Sequence, residues 1–94
     1  MRGARVHLVR AQALRESEGR AARDEIEATL ARAEALIREK GARAWTPFVC
    51  EERARLAQCL GDAAAEQHLR EAHGLYTEMG ATGHAERLAR ELGL

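Results

Sequence analysis

Ninety-four residues, 46% hydrophobic and 32% charged, suit one small globular domain and argue against a disordered chain. A formal net charge of zero, from 15 basic and 15 acidic residues, removes the usual electrostatic case for nucleic acid. Aromatics at 3%, with three valines and two isoleucines, leave alanine and leucine as the apolar mass, which is the composition of close-packed helices rather than sheets.

The elements follow in chain order. Residues 4–18 carry Val6, Val9 and Ala13 at helical spacing with Leu14 beside them, and stop before Gly19. Residues 21–40 place Ile26, Leu30, Ala33, Leu36 and Ile37 on one face and stop at Gly41. Thr46-Pro47 then reads as a capping hydroxyl before proline at the first helical position, with Trp45 folded over the first turn. The helix it opens, residues 47–60, presents Val49, Leu56 and Leu60 and ends at Gly61. Asp62 caps a fourth helix over 62–79, with Ala65, Leu69, Ala72, Leu75, Tyr76 and Met79 inward and Gly80 as its stop. Thr82 offers a weaker cap for a fifth helix over 83–92, with Ala85, Leu88 and Leu92 on one side and Gly93 after it. Glu34–Arg38, Glu66–Arg70 and Glu86–Arg90 have the i,i+4 spacing of favourable helix pairs. Short connections fold residues 4–40 and 46–79 into two antiparallel hairpins, and 83–92 closes the single domain as a capping helix.

The chain also repeats itself. Leu30, Ala33, Leu36, Glu39, Gly41 and Ala42 recur 39 residues later as Leu69, Ala72, Leu75, Glu78, Gly80 and Ala81, with about three extra residues around Arg23-Asp24-Glu25 in the first copy. The second copy resembles a tetratricopeptide repeat. Ala54, Ala65 and Ala72 match that family's small residues at close helix contacts, and Gly61-Asp62 matches its inter-helix turn, whereas its large aromatics are mostly absent. The resemblance implies an all-α fold of two stacked antiparallel hairpins plus the capping helix. Leu56 to Asp62, Leu69 to Ala72 and Leu75 to Leu92 are further similar to the C-terminal tails of bacterial proteins that join an adenylate/guanylate cyclase domain and an ATPase domain to helical repeats. Neither the cyclase nor the ATPase motifs occur here, so those activities do not transfer. Abundant alanine, and arginine far outnumbering lysine, fit a GC-rich bacterial genome.

No catalytic or cofactor constellation emerges. His68 and His73 are five apart, about 140° around a helix, and cannot share one ion as i,i+4 histidines do. Glu51 and Glu52 beside Cys50 would raise its thiol pKa, the wrong direction for a nucleophile. Gly80-Ala81-Thr82-Gly83 is too short for a phosphate loop and lacks its lysine. Cys50 and Cys59, nine apart on one helix, cannot bridge. Residues 1–23 hold six arginines against Glu16 and Glu18, net +4, with no interleaved aromatic, so they read as a solvated helix.

The resemblance places a concave partner surface on the first helix of each hairpin. It implies Phe48, Glu51, Arg55, Gln58 and Cys59 on the second hairpin, and Val6, Val9, Ala13 and Glu16 on the first. The expected function is therefore non-catalytic binding of a protein or peptide. The competing expectation is a structural or autoregulatory tail that packs on its own parent domain or on a second copy. Val6, Leu8, Val9 and Leu14 spread over several faces of the first helix, which points to self-association there. A lack of any apolar leader core after Met1-Arg2-Gly3, and of any membrane-length apolar run, reads as a soluble cytoplasmic protein.

Overall fold

The computed structural model describes the backbone of residues 2–94 and the side chains from Arg5 onward. Among those residues the regular structure is entirely helical: α1 (Arg2–Ser17), α2 (Arg23–Lys40), α3 (Thr46–Leu60), α4 (Ala65–Glu78) and α5 (Thr82–Leu92), with 3-10 turns at Gly19–Ala22 and Arg43–Trp45. The five expected helices form, with no end shifted by more than three residues. The molecule measures 33 × 32 × 17 Å. Helix α1 packs most closely on α2, α3 on α4, and α4 on α5, while α3 also touches α2 and α1.

Glycine placement accounts for the stops. At Gly41 and Gly61 φ is +66° and +69°, a left-handed conformation that costs an L side chain about 1–2 kcal/mol. The next N–H then reaches back to satisfy an orphan carbonyl, Ala42 to Ile37 at 3.0 Å and Asp62 to Ala57 at 2.8 Å.

The 39-residue repeat has a structural counterpart. Leu30 and Leu69 are buried, as are Ala33 and Ala72, and also Ile37 and Tyr76. Leu36 and Leu75 are both half-buried, while Glu39 and Glu78 are both exposed. The same carbonyl-capping bond closes both units, with Ala81 N–H on the Tyr76 carbonyl at 2.9 Å. Helix α2 has 18 residues and α4 has 14. Leu30 stands seven residues into α2 and Leu69 four into α4, so three of the four extra residues of α2 precede this leucine.

Two apolar clusters share α3. Leu8, Ala11, Ala22, Ile26, Leu30, Ala33, Ile37, Val49 and Leu56 form one, and Ala54, Leu69, Ala72, Tyr76 and Leu88 form the other. Phe48 packs against both. Ala54 and Ala72 have no exposed surface and Ala65 is half-buried, consistent with close helix approach at small residues.

Several local expectations are corrected. Helix α1 buries Leu8 and Ala11, not the Val6–Val9–Ala13 stripe; Val6 is 60% and Val9 56% exposed. A helix with apolar residues on several faces can dock by more than one, and here the leucine side is the one that meets α2. Thr46 does not cap α3. The 3-10 turn Arg43–Trp45 runs straight into the helix and leaves Thr46 at φ −57°, ψ −45°, already helical rather than extended as a cap requires. Asp62 accepts the Ala64 N–H at 2.9 Å, but α4 begins only at Ala65. Thr82 is the first residue of α5, whose N-terminal cap position, Ala81, makes no side-chain bond. Glu66–Arg70 forms at 3.0 Å, whereas Glu34 turns to Arg53 of α3 at 2.9 Å because the tertiary contact brings a guanidinium closer than its own helix does. Glu86–Arg90 is not among the ion pairs of the described residues.

Candidate functional site

Alternate helices meet at one cleft of about 390 Å³. Helix α1 contributes Arg5, Leu8, Val9 and Gln12; the start of α3 with its preceding turn contributes Trp45, Phe48, Glu51 and Glu52; α5 contributes His84 and Arg87. The spacings explain why each helix reaches it. Leu8 and Gln12 are one turn apart on α1, Phe48 and Glu52 one turn apart on α3, and His84 and Arg87 adjacent on α5.

The floor is aromatic. Phe48 meets Tyr76 edge-on at 5.4 Å between ring centroids, His84 edge-on at 5.3 Å and Trp45 at 5.5 Å. His84 stacks on Tyr76 at 4.7 Å with 19° between planes. Such offset and edge-on pairs add about 0.5–1.5 kcal/mol each beyond the area they bury.

Around this floor runs an ionic ladder. Glu51 receives both Nη atoms of Arg87 at 2.8 Å, the Tyr76 hydroxyl at 3.0 Å and Arg55 at 3.3 Å. Arg55 in turn holds Glu91, with Nη2 2.9 Å from Oε2. On the other flank, Arg15 of α1 donates to Glu52 at 3.2 Å. The links Glu51–Arg87 and Arg55–Glu91 advance together along both helices, so α3 and α5 run in the same direction. The three alternate helices are thus joined by opposite charges.

Burial favours the neutral form of Glu51, but the hydrogen bonds from Arg87 and Tyr76 and the two guanidinium charges overcome it and hold its pKa at about 2. Burial and the Glu51 charge together push the Tyr76 phenol well above its ordinary value. The hydrogen bond from Arg55 lowers Glu91. Glu52 goes the other way: burial raises it more than Arg15 lowers it. Cys50 is raised as expected, although the cause is burial followed by Glu71 and Glu34 rather than the adjacent Glu51 and Glu52. The carboxylates that line the cleft are therefore occupied by arginines, and no group of three or more His, Cys, Asp or Glu among the described residues could hold a metal ion.

Of the residues expected on the partner surface, Val9, Phe48 and Glu51 line the cleft. Arg55 lies just beyond, engaged with Glu51 and Glu91. Gln58 is exposed one turn further and accepts from Arg55 at 3.2 Å; Cys59 is exposed near the end of α3. Ala13 and Glu16 are exposed on α1, outside the cleft. Trp45, His84 and Arg87 were not anticipated. A signal for α5 existed: Glu51-x3-Arg55 and Arg87-x3-Glu91 are charge-reversed copies of each other at one-turn spacing.

A second hollow of about 630 Å³ opens where the ends of α2 and α4 meet the start of α3, lined mainly by Ile37, Ala44, Pro47, Leu75 and Met79. No helix of the described residues is long and apolar enough to cross a membrane. Comparison with protein-family models, curated proteins and solved structures finds no match.

Proposed function

We propose that this chain is a non-catalytic protein–protein interaction module of tetratricopeptide type, and that the cleft between α1, α3 and α5 receives a peptide segment of a protein partner. One observation carries the reading: the first helix of each repeated unit, together with α5, contributes to the lining of a single cleft, while α2 and α4 contribute none of it. Stacked helical hairpins would create a concave surface in this way, which supports the reading. The lining suits recognition rather than turnover. Leu8, Val9, Trp45, Phe48 and His84 offer an apolar and aromatic surface, and Arg5, Gln12 and Arg87 set polar groups beside it, the usual anatomy of a peptide-binding surface. The paired carboxylates and the raised Cys50 thiol supply neither a free general base nor an activated nucleophile. A bacterial setting, as the tail of a signalling protein, rests on the resemblance of residues 56–92.

The test is selection of binding peptides from a displayed random library, followed by titration calorimetry. Gln12→Trp should fill the cleft and weaken selected peptides by about tenfold or more, equivalent to about 1.4 kcal/mol. Gln67→Lys, on exposed α4, should leave them unchanged. Peptides that bind Gln12→Trp as tightly as the parent chain, or a library that yields no binder, would overturn the assignment.

A further inference from the structure

We infer that a second copy of this chain covers the outer face of α1, in an antiparallel α1–α1 pair centred between Val9 and Ala13. The inference goes beyond the cleft reading: Val6, Ala13 and Glu16 lie outside the cleft, while Arg5 and Val9 belong to both surfaces. The two ends of the helix row are unlike. At one end α5 turns Gly83, Glu86 and Arg90 to solvent, a polar face that needs no cover. At the other end α1 exposes Val6, Val9 and Ala13 in one stripe, with Val6 and Val9 60% and 56% accessible. The outer face of α1, unlike that of α5, is thus an apolar stripe that folding leaves uncovered.

Charge selects the occupant and its direction. Helix α1 has no acidic residue in its first turn, bears the exposed Arg5 near its start, and bears the exposed Glu16 in its last turn. This order opposes the helix macrodipole, which favours acidic groups at the start and basic groups at the end. Arg15, the basic residue of the last turn, is committed to Glu52. An antiparallel copy reverses the disadvantage: its Glu16 falls beside Arg5, and its negative end beside the arginine end of the first helix. The same register sets Val9 against Ala13 of the second copy, twice by symmetry, with Val6 over the stem of Glu16. A parallel pair would instead oppose Arg5 to Arg5 and Glu16 to Glu16. One 16-residue helix, about 24 Å long, presents far less than the roughly 1,200 Å² of a standard interface, so the dimer is weak and reversible.

Sedimentation equilibrium and light scattering between about 10 µM and about 1 mM test this, the range suiting a small interface. The expected mass rises with concentration from 10.4 kDa toward twice that value. Ala13→Arg should abolish the rise. Glu16→Arg should weaken dimerisation by about tenfold, and Arg5→Glu/Glu16→Arg should restore it to within roughly threefold. Helical circular dichroism must be unchanged in each variant. A mass of 10.4 kDa at every concentration, or a dimer indifferent to Ala13→Arg and to Glu16→Arg, would overturn the inference. Dimerisation by Gln12→Trp with lost peptide binding separates this surface from the cleft.

Discussion

Replacing Glu51 by glutamine removes the central charge of the ionic ladder and keeps the side chain's shape. The carboxylate is only 15% exposed and holds Arg87, Arg55 and the Tyr76 hydroxyl at 2.8–3.3 Å. Its pKa falls from 4.5 to about 2, and each pKa unit corresponds to 1.36 kcal/mol, so the folded state gains on the order of 3 kcal/mol from its ionisation. Glutamine still accepts from Tyr76, which leaves an expected loss of about 2 kcal/mol at neutral pH, or a fall in Tm of about 8–16 °C for a domain of this size. The pH dependence follows from the sign of the shift. A lowered carboxylate pKa stabilises the fold fully above the unfolded value of 4.5, and that contribution drains away as pH falls toward about 2. Urea unfolding followed by circular dichroism at pH 7 and at steps down to pH 2.5 reads both effects. The parent and Glu51→Gln curves should converge as the pH is lowered. A variant within about 0.5 kcal/mol of the parent at pH 7, or a gap that persists unchanged to pH 2.5, would refute the electrostatic account.

Other expectations use different measurements. Leu88 is fully buried and ties α5 to α3 and α4, so Leu88→Ala should cost about 2–5 kcal/mol and raise amide exchange in α5 more than in α2. Ala54 has no exposed surface, and Ala54→Leu should destabilise by about 1–3 kcal/mol through overpacking, read as a lower urea midpoint. With a thiol reagent at pH 7.5 the exposed Cys59 should react first, and the half-buried Cys50, its pKa raised by burial, should lag; Cys59→Ser should remove the fast phase only.

The helices and their stops were legible because their causes are local. Steps of three and four and glycines at positive φ act within one or two turns of chain, so the five helices and their C-terminal ends could be read from spacing alone. Most buried positions of α2 and α4 were legible for a related reason; Met79, expected inward, lies just past the end of α4 and is 45% exposed. Each carries one dominant apolar face, and the repeat at an offset of 39 residues puts matching residues at matching depth, as at Leu30/Leu69 and Ala33/Ala72. The N-terminal caps were misread because each depends on the conformation of the connection: Thr46 holds the right chemistry in a backbone already helical.

The candidate site was legible only in part. Phe48, Glu51 and Val9 could be placed through the resemblance, whereas Trp45, His84 and Arg87 enter because α5 crosses beside α3 and the preceding turn folds over it. What the amino-acid order determined by itself is which segments become helices and which faces of α2 to α5 must be hidden, since periodicity and capping are properties of a few neighbouring residues. Only the tertiary structure decided that α1 buries Leu8 and Ala11 rather than its valines, and that Glu51 answers to Arg87 thirty-six positions away. An apolar residue on any face of a helix is equally ready to be buried, and a charge accepts whichever partner the helix crossing brings within reach.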